Sequence, residues 1–107
     1  MSKHSVTRGG DNIFADLGLP NADEHLLKAQ MAIFIGRRIE QLDLTQQAAA
    51  KRMGLRQPDV SNLLRGRLEG FSLERLLGCV RALSSDVEIK FKRRNDAHEG
   101  RMSLMMG

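Results

Sequence analysis

Five polar side chains that can pair with the edges of nucleic-acid bases lie within ten consecutive residues. They are Arg56, Gln57, Ser61, Asn62 and Arg65. Glutamine and asparagine form paired hydrogen bonds with adenine, arginine pairs with guanine, and serine bonds either a base or a phosphate. These residue types at this spacing predict a surface that reads base sequence in a groove of duplex DNA.

A second set of side chains around these five suits the phosphate backbone of the same duplex. It consists of Gln46, Lys51, Arg52 and Arg67. Contacts of this kind fix the register of a protein on DNA without reading sequence. The competing interpretation is a solvated helix face, since most charged runs are only that.

Two short helices joined by a tight turn are predicted to position both sets. Thr45 can cap the first helix, and Gly54 can end it because glycine adopts positive φ without a Cβ penalty. Proline is accepted in a first helical turn, so we expect the second helix to run from about Pro58 to Arg65. The seam between the two helices is predicted to hold Ala49, Ala50, Met53, Leu55, Val60 and Leu63. Such a pair is a helix-turn-helix unit.

Amphipathic helices are predicted on both sides of this unit. One begins after Asn21, which can cap it together with Glu24, and continues to about Leu42. It carries an apolar residue every three or four positions, and Arg38 is expected on its solvent side. Another is capped by Ser72 and carries a second apolar stripe. Residues 12–19 offer a further short turn or helix. We therefore expect a mainly α fold of four to five helices.

The pattern changes at residues 86–92, DVEIKFK, where Val87, Ile89 and Phe91 alternate with charged residues. This two-residue period is typical of a half-buried β-strand. The sequence contains no second convincing strand, and an unpaired edge favours association. We predict that two copies pair this strand in a twofold homodimer. Pairing with the segment around Ile13, or with a different protein, is the alternative.

The run from Leu44 to Gly66, LTQQAAAKRMGLRQPDVSNLLRG, resembles the phage-repressor (Xre/Cro-like) helix-turn-helix family through its LTQ opening, central glycine and V-S-x-L-L-R-G close. With its flanks, roughly Asn12 to Lys92, it is similar to a small bacterial subgroup often found as the antitoxin or autoregulator of a toxin–antitoxin pair. The resemblance implies a phage-repressor-like fold and transcription regulation. The chain departs from the family at Arg56, where a serine or similar cap is common, and at Asp59, an acid beside the expected DNA face.

Length, net charge and aromatic content limit the possible fold and the possible partners. The chain has 107 residues, enough for one domain with one core. Its formal net charge of +4 favours anionic partners. The absence of Trp and Tyr argues against an aromatic platform for single strands, so duplex DNA is the better match.

Three further observations concern location. The single cysteine, Cys79, excludes an internal disulfide. No apolar run approaches the roughly 20 residues that span a membrane, and the opening MSKHSVTRGGD is not followed by an apolar segment of signal-peptide type. We expect a cytoplasmic protein that does not contact a membrane.

The sequence does not favour an enzyme. His4, His25 and His98 are scattered, without the spacing of a metal site or a proton relay. The chain has no phosphate-binding loop of the GxxxxGK[ST] type. We therefore expect no metal and no cofactor.

Together these patterns predict a disordered arm at 1–11, a helix-turn-helix domain at 12–92 ending in the dimerisation strand 86–92, and a flexible tail at 93–107. The predicted function is sequence-specific regulation of transcription, as a repressor that binds an inverted-repeat operator as a homodimer. The alternative is an antitoxin that neutralises a toxin by direct binding and autoregulates its operon.

Overall fold

The computed structural model describes residues 22–106, and α-helices form all the regular secondary structure in that part of the chain. The four helices are α1 (Ala22–Gln41), α2 (Gln46–Met53), α3 (Gln57–Leu64) and α4 (Leu73–Ala82). The expected mainly α fold is confirmed. The predicted arm at 1–11 and the apolar segment at 12–19 lie outside the described residues, as does the proposed cap Asn21.

Side-chain caps start two of the helices, as the sequence predicts. The Thr45 hydroxyl accepts a hydrogen bond from the Ala48 backbone N–H at 3.0 Å, at the start of α2. The Ser72 hydroxyl accepts one from the Arg75 N–H at 3.1 Å, at the start of α4. Each cap satisfies a backbone donor that has no partner within the helix, and caps of this kind contribute about 1 kcal/mol.

All four described helices end in the same type of turn, a Schellman motif. In each, one residue adopts a left-handed conformation and the next N–H bonds the carbonyl five residues earlier, as Leu55 bonds Ala50 at 2.9 Å. The left-handed residues are Asp43, Gly54, Gly66 and Ser84. Aspartate tolerates this conformation better than most residues. In each turn the left-handed residue lies one or two positions after the last helical residue, so the helix ends there and the chain changes direction.

The core lies among the helices, and the predicted apolar stripes supply it. The largest fully buried side chains are Ile35 of α1, Val60 and Leu63 of α3, Leu76 of α4, and Leu83 at the end of α4. Ala49 and Ala50 are buried on α2, and this helix packs against α3 and α4. Because these two side chains are small, α2 lies close to its neighbours.

Two arginines fasten the C-terminal end of α4 to α1 and α2. Arg38 donates from Nε and Nη2 to the Leu83 carbonyl at 3.2 and 2.8 Å. Arg52 donates from Nε to the Ala82 carbonyl at 2.9 Å and from Nη2 to the Ser84 hydroxyl at 2.7 Å. Cations suit these carbonyls, which have no partner within the helix and carry the negative end of its dipole. The sequence pattern placed Arg38 on the solvent side; that prediction is wrong, since its side chain is half-buried.

Residues Lys28–Val87 form one compact unit, which contains α2, α3 and α4. The described residues 22–27 and 88–106 belong to a second unit. Residues 86–92 do not form a β-strand in the single chain, and no β-ladder forms among residues 22–106. Ile89 and Phe91 are 70% and 93% exposed. The strand is predicted to form by pairing with a second copy, and a single chain does not test that pairing. The dimerisation strand therefore stays a prediction.

Candidate nucleic-acid interface

Helix α3 is held by its inner face, so its outer face stays open. Val60 and Leu63 are buried and fix the helix against the core. Arg56, immediately before it, has extended backbone angles of φ −79° and ψ 152°, and Pro58 occupies the first turn. Extended geometry is typical of the residue that precedes the first helical residue, and proline is accepted in a first turn, so these two residues mark where α3 begins.

The five predicted base contacts all lie on α3 or at its two ends. Arg56, Gln57 and Arg65 are exposed, while Ser61 and Asn62 are half-buried. Positions 57, 61 and 65 are four residues apart and share one helix face. The structure therefore brings the predicted readers onto one element, and their contact with DNA stays a prediction.

The four predicted phosphate contacts are exposed but fall into two kinds. Gln46 begins α2, Lys51 lies on α2, and Arg67 lies in the loop between α3 and α4. Arg52 is different, because its guanidinium already bonds the end of α4. In binding a phosphate, the Arg52 side chain would therefore serve a second purpose besides holding the end of α4.

The acid on this surface is paired with two arginines. Asp59, in the first turn of α3, accepts at Oδ2 from Arg56 Nε and at Oδ1 from Arg56 Nη2, each at 3.4 Å. Arg75 Nη2 lies 3.5 Å from Oδ2, the same oxygen that Arg56 Nε contacts. The hydrogen bond from Arg56 lowers the pKa of Asp59, and the charges of Arg56 and Arg75 act in the same direction. The carboxylate therefore does not confront DNA as an isolated negative charge.

Arg75 and Phe71 support this surface, although neither is among the predicted DNA contacts. The Arg75 guanidinium lies 4.6 Å from the centre of the Phe71 ring, and its Nη1 donates to the Gly70 carbonyl at 3.0 Å. Phe71 itself is buried. The spacings offered a signal: Phe71 and Arg75 are four residues apart, and Arg56 and Asp59 are three apart, which places side chains together at a helix.

Two other features bear on chemistry at the site. Cys79 is buried, and burial raises the pKa of its thiol, although the Arg75 charge acts against this shift. Within residues 22–106, no group of three His, Cys, Asp or Glu side chains is placed to hold a metal ion.

No helix in this part of the chain combines the length and apolar character needed to cross a bilayer.

Two short helices joined at a left-handed glycine, with the second presenting a polar face rich in base-pairing side chains, define a helix-turn-helix DNA-binding protein. Comparison with known proteins agrees. A family model described as "Helix-turn-helix domain" matches residues 13–92, and the chain belongs to this family.

A solved structure named "Putative XRE Family Transcriptional Regulator" shares 38% sequence identity and a TM-score of 0.75 with the chain. The match covers 82% of this chain and 100% of that one. No curated protein matches. The expected Xre-like helix-turn-helix regulator is confirmed.

Proposed function

We propose that the protein represses transcription by binding an inverted-repeat operator in duplex DNA as a homodimer. The observation that carries this proposal is the outer face of α3, where Gln57 and Arg65 are exposed while Val60 and Leu63 anchor the helix from inside. A rigid helix with a free polar face has the shape and the hydrogen-bonding groups that a major groove accepts.

Two sets of residues on this surface have different tasks, one in specificity and one in affinity. Arg56, Gln57, Ser61, Asn62 and Arg65 contact base edges and set specificity. Gln46, Lys51, Arg52 and Arg67 contact phosphates and set affinity.

Residues 86–92 supply the dimer contact in this proposal. Ile89 and Phe91 expose 70% and 93% of their surface in the single chain, and Val87 completes the alternating apolar row. Pairing two such segments in an antiparallel ribbon brings these side chains together across the strands and satisfies one backbone edge of each strand. Two α3 helices related by a twofold axis then meet successive major grooves, about 34–36 Å apart.

A bound dimer covers promoter DNA and excludes polymerase, so we infer repression by occlusion. Because a regulator of this class acts where the chromosome lies, we place the protein in the cytoplasm.

The test compares two glutamines with different assigned tasks. The operator is first recovered by selection from random duplexes, which also shows whether the site is an inverted repeat. Gln57→Ala is expected to lose on the order of 1–3 kcal/mol of binding free energy at the operator and much less on random DNA. Gln46→Ala is expected to weaken binding to both DNAs to a similar extent. Equal losses on both DNAs for Gln57→Ala contradict its assignment, and a protein that ignores every duplex at low ionic strength overturns the proposal.

A second candidate function is that of an antitoxin, favoured by one feature of the tail. Met102, Met105 and Met106 are exposed, and flexible methionines are common on protein-binding surfaces. Removing residues 93–107 would then abolish neutralisation of the toxin encoded next to this gene while operator binding persists. Unchanged neutralisation by the shortened protein, or the absence of any toxic neighbour, excludes a role for the tail.

A further inference from the structure

Asp59 is an unusual residue to find beside five predicted base contacts, because an acid repels DNA. Its side chain is 19% exposed, whereas that of Arg56 is 81% exposed. The carboxylate thus lies low on the surface and the guanidinium stands above it.

The contact between them uses one edge of the arginine. Arg56 donates through Nε to Oδ2 and through Nη2 to Oδ1, so the two groups meet along two parallel bonds of 3.4 Å. This fork-to-carboxylate geometry favours one orientation of the guanidinium plane, although both bonds are longer than the roughly 2.7–2.9 Å of a strong charge-assisted pair.

The carboxylate also contacts a second arginine, whose side chain is 41% exposed. Arg75 reaches Asp59 Oδ2 at 3.5 Å, while bonding the Gly70 carbonyl at 3.0 Å and covering the Phe71 ring at 4.6 Å. Phe71 is only 4% exposed and therefore fixed. A continuous set of contacts runs from a buried ring to the exposed Arg56.

The edge of Arg56 that Asp59 leaves open matches one base. A guanidinium has five N–H donors, and the fork to Asp59 uses Nε–H and one Nη2–H. The remaining Nη2–H and an Nη1–H point away from the carboxylate, side by side. Two parallel donors of this kind pair with O6 and N7 of guanine.

We infer that Asp59 is a positioning residue for base specificity: it orients Arg56 so that its free edge reads a guanine at the start of α3. The inference depends on the proposed function, since it concerns how that same surface selects its DNA. Asp59 lowers affinity for DNA in general by its charge, and raises the preference for one base by holding Arg56.

The experiment uses the full chain and duplexes selected from a random pool by the wild-type protein. Asp59→Asn removes the charge and weakens the fork; Glu69→Gln removes the same charge from an exposed position in the loop between α3 and α4. Both variants are expected to bind random duplex more tightly by a similar factor. Only Asp59→Asn is expected to lose the preference for guanine at one position per half-site, on the order of tenfold or more.

Arg56→Ala identifies that position, because it is expected to lose the same preference. The double variant Asp59→Asn with Arg56→Ala should lose no more than Arg56→Ala alone, and thermal melts verify that every variant is folded. If Asp59→Asn keeps the full guanine preference, or Arg56→Ala changes no base preference, the inference is overturned while the proposed function stands. If the wild type selects no duplex, the proposed function fails first.

Discussion

Basic residues that look equivalent along the chain have different partners in the fold. Lys51 is exposed on α2, whereas its neighbour Arg52 bonds the Ala82 carbonyl and the Ser84 hydroxyl. The first suits a mobile phosphate contact, and the second ties two helices together.

Replacing each by alanine should separate stability from DNA affinity. Arg52→Ala is expected to lower the free energy of unfolding by about 1–2 kcal/mol, because it removes charge-assisted hydrogen bonds from the end of α4. Lys51→Ala should change it by less than about 0.5 kcal/mol while weakening binding to operator and random DNA alike. Urea titrations and binding isotherms measure the two effects. Equal stability of the two variants contradicts the structural role of Arg52.

The pairing of Asp59 also predicts a pH dependence. Its pKa is lowered in the folded protein by Arg56 and Arg75, so the carboxylate stabilises the fold above its ordinary pKa of about 3.9. That contribution is lost as the pH falls through the lowered folded value. We expect wild type to melt at a higher temperature than Asp59→Asn near neutral pH, and the difference to shrink below about pH 4. Thermal melts across pH check this, and a difference that grows on acidification contradicts it.

The sequence alone indicates which residue types form the polar surface of α3, but not which side chains form tertiary hydrogen bonds. Gln57, Asn62 and Arg65 follow from their chemistry and their place on a helix that the proline marks. Contacts such as that of Arg52 with Ser84, 32 positions further along the chain, depend on tertiary packing. No local pattern reports such a contact.

The turns at the ends of the helices share one geometry. Four residues adopt the same left-handed conformation where the described helices end. The direction of the chain after each helix therefore depends on this backbone conformation as well as on apolar packing between the helices. Gly54 lies at the junction that sets α3 relative to α2.

Two glycines offer a matched test of this geometry. Gly54 has φ +70°, and Gly78 lies inside α4; a Cβ at either position meets no atom within 4 Å. Gly54→Ala is expected to destabilise the protein by about 1–2 kcal/mol, since alanine is strained in the left-handed region. Gly78→Ala should stabilise it by up to about 1 kcal/mol, because alanine is the better helix former. Chemical denaturation measures both, and a neutral Gly54→Ala contradicts the role assigned to this turn.

The helices themselves could be predicted because periodic apolar residues, capping hydroxyls and the glycine and proline boundaries agree with one another. The burial of Phe71 could not, because a single aromatic residue in a loop belongs to no period; its four-residue spacing from Arg75 indicates only that the two side chains can meet. Arg38 was misplaced for a related reason: its charge suggested solvent, whereas the carbonyls at the end of α4 provide it with a half-buried partner.

The proposed dimer depends on two apolar side chains, Ile89 and Phe91, that are exposed in the single chain. Ile89→Asp with Phe91→Asp is expected to yield a monomer, because charges oppose burial in a paired ribbon. Lys90→Gln, on the other side of the alternating row, should leave the dimer intact. Sedimentation equilibrium measures the mass of each.

The same variants bear on DNA binding. The monomer should bind a single half-site with unchanged affinity and lose the added affinity that two linked half-sites provide. A double variant that stays dimeric shows that residues 86–92 do not form the contact.

The buried thiol of Cys79 gives the native chain a practical property. Because the thiolate is the reactive form and burial disfavours it, maleimide dyes should leave the folded protein unmodified. A cysteine introduced on an exposed residue of α3 would then be the only labelled position, and its fluorescence would report arrival at an oligonucleotide in real time.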